Sequence, residues 1–448
     1  MGIDIFSHDL AAEHSALLLL SVVLILGIAA ILSLRHRSVR PSSQLISDTK
    51  EERAPGEWTP KDFRYPDFPS CSLSLSDIKP IPYRPFRWGQ YNVTMGIRNM
   101  PWEDWIELDD QFDTYHRIRE RRICTQGENV VRVLPARPIV GSGASAAIEL
   151  VHELSEYLHK RYPAAFQVTR VEGAIKTIRI LPLEVTYELP SALLSRSKGT
   201  SPPFLRKVEA GEAEEAMKIA ALLVQDDLAL MVEGSDGRYY FQAGAICVPG
   251  FWRMRDKIGL PLDEIHLSGN VPQYREKLHT SFERFFRRLP VDKPVIRNNY
   301  FVQVVRPQGQ DRGVEDDLVD PEELAWSTTT NGPEGEFAHG HPAHPPERPL
   351  VSPETLRLRT ERQTLRRLPL SGAVLFTIRT YVIPIEQLAK EPGIPARMAS
   401  AVRSWPESVE TYKGKELYGS ILVDYLDKCA QEQTERGVRE DPAKSYPF

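Results

Sequence analysis

Cysteine is scarce in this chain. Four occur in 448 residues, at positions 71, 124, 247 and 429, and no two stand at CxxC spacing. That excludes a disulfide framework or a ribbon-type zinc site and points to reduced thiols. Neither sign of charge prevails, because 56 basic residues face 61 acidic ones for a formal net charge of −5. Binding to nucleic acid needs a concentrated basic surface, so the balance gives no argument for it. There is no P-loop and no GxSxG elbow, and GSGAS at 141–145 is too short to count as a phosphate cradle. Internal repeats are missing, and so is any Asp-x-Asp, which weakens the idea of a metal-dependent glycosyltransferase.

What is present is ordinary for a folded protein, 41% hydrophobic and 26% charged, with one exception. Ser15 to Leu34 runs for 20 residues without a charge. As a helix that is about 30 Å, the thickness of a bilayer core. Asp4, Asp9 and Glu13 precede the run, whereas Arg35, Arg37 and Arg40 follow it. The basic flank predicts an uncleaved anchor, residues 1–14 outside and the rest cytosolic, with the endoplasmic reticulum as the expected membrane. A cleaved signal and a lumenal transferase are the alternatives. On the cytosolic side the sequon at Asn92 would stay bare.

Residues 35–80 are rich in Ser, Pro and charge and read as a tether. The expected globular domain spans 81–430, followed by a polar tail over 431–448. Ile148, Val151, Leu154 and Leu158 form one helical stripe that stops before Pro163. A strand is expected over 178–189 and a helix near 212–223. LALMV and RYYFQAGAICV make a hairpin through Gly234-Ser235-Asp236-Gly237. A helix over 272–288 and the strand NNYFVQVV follow. Residues 307–353 are polar, rich in Pro and Gly, and read as a mobile insertion dispensable for folding. The class is α+β with an antiparallel sheet.

TERQTLRRLPLSGAVLFTIRTY, Thr360 to Tyr381, reads as two strands and a turn. Leu356, Leu358 and Thr360 alternate with Arg357, Arg359, Glu361 and Gln363. Val374, Phe376 and Ile378 alternate with Leu375, Thr377, Arg379 and Tyr381. The polar groups are either a solvated face with cross-strand ion pairs or a pocket that holds an anion by Arg forks. His152, Glu156 and His159 share a helical face at metal-ligand spacing, although the solvated face of an amphipathic helix is the stronger reading. His339, His341 and His344 lie in a Pro-rich loop. His266 follows Ile265 in a turn-rich segment, either as a structural hydrogen-bonder or as the single imidazole ligand of a haem iron.

Four strings now occur in a telling order: VQDDLALMVEGSDGRYYFQAGAICVPGFW, KIGLPLDEIH, ERFFRRLP and TERQTLRRLPLSGAVLFTIRTY. They resemble the alpha subunit of the haem-dependent oxidative N-demethylases, of the dimethylamine monooxygenase type, with fungal members sometimes labelled HRQ proteins. The likeness runs from about Gly96 to Tyr412. It implies a PAS-like antiparallel sheet with flanking helices that binds haem b, with His266 as axial ligand at the family's Ile-His position. Arg362, Arg366 and Arg379 are then expected on the propionates. Glu361 is expected to orient an Arg or hold a cationic amine, with Tyr300 beside the substrate. The implied partner is an NAD(P)H-dependent flavin reductase, and the substrate a small organic molecule. Relatives tend to have Asn-Trp where this chain has Asn299-Tyr300. Here Leu267-Ser268-Gly269-Asn270 also intervenes before Val271-Pro272. A PAS-type haem or ligand sensor without turnover is the competing reading.

Overall fold

In the computed structural model the described residues are 53–195, 204–307, 324–338, 341–342 and 349–438. The charge-free run Ser15–Leu34, the tail before it, residues 308–323 and the end after Val438 lie outside them. No helix of the described residues is long and apolar enough to cross a membrane.

In chain order the strands are β1 (Arg98–Asn99), β2 (Val131–Val133), β3 (Phe166–Val171), β4 (Ala174–Ile180), β5 (Val185–Glu188), β6 (Leu194–Ser195) and β7 (Phe204–Leu205). They continue with β8 (Asp227–Glu233), β9 (Tyr239–Ala245), β10 (Val295–Val304), β11 (Phe337–Ala338), β12 (His341–Pro342), β13 (Leu356–Arg367) and β14 (Val374–Pro384). Among the described residues one seven-stranded sheet dominates, in the spatial order β1-β10-β13-β14-β8-β9-β2. All its pairings are antiparallel. The hairpin expected near the C-terminus is its centre, with Arg362 opposite Arg379 and Leu365 opposite Phe376.

Register sorts the side chains onto two faces, because successive residues of a strand point to opposite sides. Asn299 pairs with Glu361, and Phe376 pairs with both Leu365 and Ala229, so these residues share one face. Arg362, Arg379, Leu375 and Leu230 share the other. The second face is covered twice. Helices Phe112–Gln126, Ala144–Arg161 and Ala210–Leu223 pack there with Leu228, Leu230 and Leu375. Further along, helices Ile394–Arg403 and Lys415–Glu435 cover Tyr300, Val302, Leu356 and Leu358. The first face meets helices Leu262–Ser268 and His279–Arg288 through Ala229, Met231, Phe241 and Leu365.

Several boundaries differ from those read in the sequence. Residues 53–80, expected as tether, bury Leu75 in the core that includes Leu228, Leu230 and Leu375, and pack half-buried Phe63, Tyr65 and Phe68 against it. Trp58 Nε1 also donates to the Pro369 carbonyl at 2.9 Å. Their aromatic spacing supplies buried surface that overall composition conceals. The 178–189 run bends into β4 and β5, because Leu181–Glu184 forms a turn with Glu184 at φ +56°. The helix expected from 272 opens with a π-helical turn, Tyr274–Leu278, before His279–Arg288. The described part of the 307–353 segment is packed, with Leu324, Ala325, Trp326 and Phe337 buried. The last helix runs to Glu435, past the expected boundary at 430.

The second face carries a buried polar layer. Arg362 meets Glu107 at 2.8 Å, and Arg379 meets Asp109 at 2.7 Å. Asp226 lies beside them, wholly buried, with no hydrogen-bond partner on either carboxylate oxygen among the described residues. Burial pushes its pKa up to about 6 against the pull of Arg362 and Arg379. The folded state therefore keeps this proton to higher pH than the unfolded chain, which releases it near 3.8. Stability from this group is complete below the unfolded value and is lost as pH rises through about 6. Asp226→Asn should accordingly flatten the fall in unfolding free energy between pH 4 and 7, as measured by urea titration. Identical slopes in both proteins would place the proton elsewhere.

Candidate active-site cavity

The first face of the sheet does not close against its helices. It leaves about 1700 Å³ of atom-free space, the mouth included. Ala229, Met231, Phe241, Leu365, Phe376 and Ile378 make a largely apolar floor. Polar groups enter from the same face of the sheet: Arg297 and Asn299 from β10, and Arg359, Glu361 and Gln363 from β13.

His266 lines this cavity from the short helix Leu262–Ser268. Its Nδ1 lies 2.7 Å from the Leu262 carbonyl oxygen. A carbonyl only accepts, so Nδ1 carries the proton and Nε2 keeps its lone pair. The ring stacks on Tyr274 at 4.8 Å and 9°, and meets Phe282 at 5.0 Å and the edge of Trp252 at 6.0 Å. Burial holds its pKa down near 4, helped by the charges of Arg297 and Lys257, so the imidazole is neutral at physiological pH. Gly269 is needed here, since a Cβ would fall 2.2 Å from the Trp252 ring.

Five cations line the space. Arg253 forms a two-point pair with Asp256 at 2.8 Å. Arg359 donates to the Val248 carbonyl at 2.7 Å, and its Nε stands 3.6 Å from Glu361. Gly250 makes room for that pair, because a Cβ would sit 2.9 Å from Arg359 Nε. Lys257 donates to Ser268 Oγ at 2.8 Å. Lys413 donates to the Tyr300 carbonyl. Arg297 has no hydrogen-bond partner among the described residues, and its Nε is buried and unsatisfied. Burial lowers the pKa of Arg297, and lowers that of Lys413 to about 7. Of the acids on the wall, Asp227 pairs with Arg119 at 2.7 Å. Glu361 accepts from Gln363 Nε2 at 3.0 Å.

The residues singled out in the sequence fall on both faces. His266 and Glu361 line the cavity. Arg362, Arg366 and Arg379 do not; all three are wholly buried on the opposite face. Arg366 pairs with Glu153 inside a box of Phe63, Tyr65, Trp102 and Trp105, with ring centroids 4.3–5.1 Å from its guanidinium carbon. Arg379 lies over Tyr115 at 4.2 Å and Tyr381 at 4.6 Å. Tyr300 also points away from the cavity, its hydroxyl accepting from Trp405 Nε1 at 3.2 Å. His152 and His159 bind the backbone oxygens of Pro190 and Phe166, while Glu156 pairs with Arg170. No group of three potential metal ligands occurs among the described residues. His339 and His344 lie outside the described residues, as does the side chain of His341.

Arg297, Lys413, Lys257 and Tyr412 were not anticipated as cavity residues. Arg297 was within reach, because it shares parity with Asn299 and stands two positions before it. Lys413 follows directly on the short helix Glu407–Tyr412 and carried no pattern. A family model described as haem-dependent oxidative N-demethylase, alpha subunit-like, matches residues 96–423. The matched span contains every side chain on the cavity wall except Tyr91, Val93 and Thr94.

Proposed function

The chain belongs to the haem-dependent oxidative N-demethylase, alpha-subunit-like family, and on that premise we propose that it holds haem b in this cavity. In this reading His266 Nε2 would hold the haem iron. The observation that carries it is an uncharged imidazole on the cavity wall whose other nitrogen is committed to a backbone carbonyl. That second contact is what orients a metal-bound histidine. The apolar floor suits a porphyrin, and an antiparallel sheet serving as that floor agrees with the PAS-like arrangement. Arg297 and Lys257 both act electrostatically on His266, and neither forms an ion pair among the described residues, so they are our choice for the two propionates. Arg362, Arg366 and Arg379 already have acidic partners and hold the fold instead.

Bound haem supplies the activation of O₂. The net reaction takes an N-methyl amine, O₂, two electrons and two protons to the demethylated amine, formaldehyde and water. Hydroxylation of the methyl carbon gives a carbinolamine, which then breaks its C–N bond. The chain's own part is to exclude water with the floor residues and to hold the amine cation against Glu361, which Gln363 steadies. Electrons come from an NAD(P)H-dependent flavin reductase in this proposal. The charge-free run Ser15–Leu34 and its basic flank support attachment to a membrane, with the endoplasmic reticulum proposed and the cavity on the cytosolic side.

Purified protein should show a Soret band at one haem per chain. With a chemical reductant and O₂ it should release one formaldehyde per amine consumed. A protein that takes up no haem on reconstitution would refute this function.

A further inference from the structure

Among the described residues, the cations on the cavity wall outnumber the carboxylates that answer them. Asp256 serves Arg253, and Asp227 serves Arg119. Glu361 is left to serve Arg359, 3.6 Å away, and also Lys413 and Arg297, whose charges it supports. Among the described residues no carboxylate forms an ion pair with Arg297, Lys257 or Lys413, although Glu361 acts on Arg297 and Lys413 from further off and Asp256 acts on Lys257. Two haem propionates would satisfy two of these three, and Lys413 remains.

The residue is almost wholly buried, 4% exposed. The rings of Tyr300 and Phe301 lie 4.5 Å from Nζ, and that of Trp405 lies 5.5 Å away. The Tyr300 carbonyl takes one N–H, and Asn299 Oδ1 stands at 3.5 Å from a second. An ammonium has three, so one is left on a residue that lines the cavity. A buried cation whose acid is shared with two other cations is costly, and an anionic ligand lowers that cost. Burial also depresses the pKa of Lys413 to about 7, a loss of charge that a bound carboxylate would reverse.

We infer that Lys413, with Asn299, forms a carboxylate subsite, and that Glu361 is the opposite pole for the amine. The substrate is then an N-methylated amino acid, an amine that carries its own carboxylate, rather than a simple alkylamine. This rests on the haem reading, which accounts for the other two cations.

N,N-dimethylglycine and dimethylamine share the reacting group and differ by the carboxylate, so they are the probes. Dissociation constants come from the shift of haem absorption in the loaded protein and from thermal stabilisation. N,N-dimethylglycine should bind about ten-fold or more tightly than dimethylamine, as a charge-assisted hydrogen bond predicts. Lys413→Met should erase that preference while haem per chain stays unchanged, and Lys413→Arg should retain part of it. Equal or tighter binding of dimethylamine by the wild-type protein overturns the subsite, and this comparison needs no variant to fold. Loss of haem from Lys413→Met also overturns it, by making Lys413 a propionate partner. Absence of any Soret band would instead defeat the haem reading itself.

Discussion

Replacing His266 by alanine should abolish the Soret band of the reconstituted protein while its melting transition remains cooperative. The side chain lies on a short helix beside a cavity that is already open, so its loss enlarges a space instead of breaking a layer. Trp252, Tyr274 and Phe282 lose a ring contact and keep their other packing. Titrating apo-protein with haemin, followed by absorption, is the measurement. Added imidazole should restore part of the band, because it can occupy the vacated place and coordinate the iron. An unchanged spectrum in His266→Ala would move the ligand to another residue.

Arg379→Ala should do the opposite: the fold fails before the cofactor site does. Arg379 is wholly buried and stands 2.7 Å from Asp109, which is itself only 2% exposed. Removing one partner strands the other charge away from water, at a cost of about 3–5 kcal/mol. That is a large share of the roughly 5–15 kcal/mol by which a domain is stable. Urea unfolding should shift by that amount, and Arg379→Met combined with Asp109→Leu should recover much of it. Haem per folded chain should stay the same in both. If Arg379→Ala sheds haem at unaltered stability, the guanidinium belongs to the cofactor after all.

That reversal shows what was legible in the sequence. Alternation correctly divided Val374, Phe376 and Ile378 from Leu375, Thr377 and Arg379. It could not say which side held the cavity, because both sides carry arginine. Two readings offered themselves, a solvated face or a ligand pocket, and the structure uses a third. The face of Arg362 and Arg379 is buried against Glu107 and Asp109, from WIELDDQF, and Arg379 and Asp109 are 270 positions apart. Periodicity reports burial within an element and says nothing about which distant acid will arrive opposite a given arginine. His266 was legible because it sits inside a local string. Lys413 was not, because its neighbours Tyr300, Phe301 and Glu361 come from other strands. The packed segment around Phe63 and Tyr65 was obscured for a compositional reason, since prolines and serines outnumber the few aromatics that do the packing.

The box around Arg366 sets an order of events during synthesis. Its walls include Phe63, Tyr65, Trp102 and Trp105, made early, while the guanidinium that fills it comes 301 residues after Tyr65. Trp58 likewise waits for a carbonyl 311 residues downstream. At about 5–20 residues per second the ribosome needs roughly 15–60 s to cover that distance. Throughout that interval the leading aromatic segment lacks its partner and is open to chaperones or to a neighbouring nascent chain. The central β13–β14 hairpin is thus also the latch that the first-made part of the domain must await.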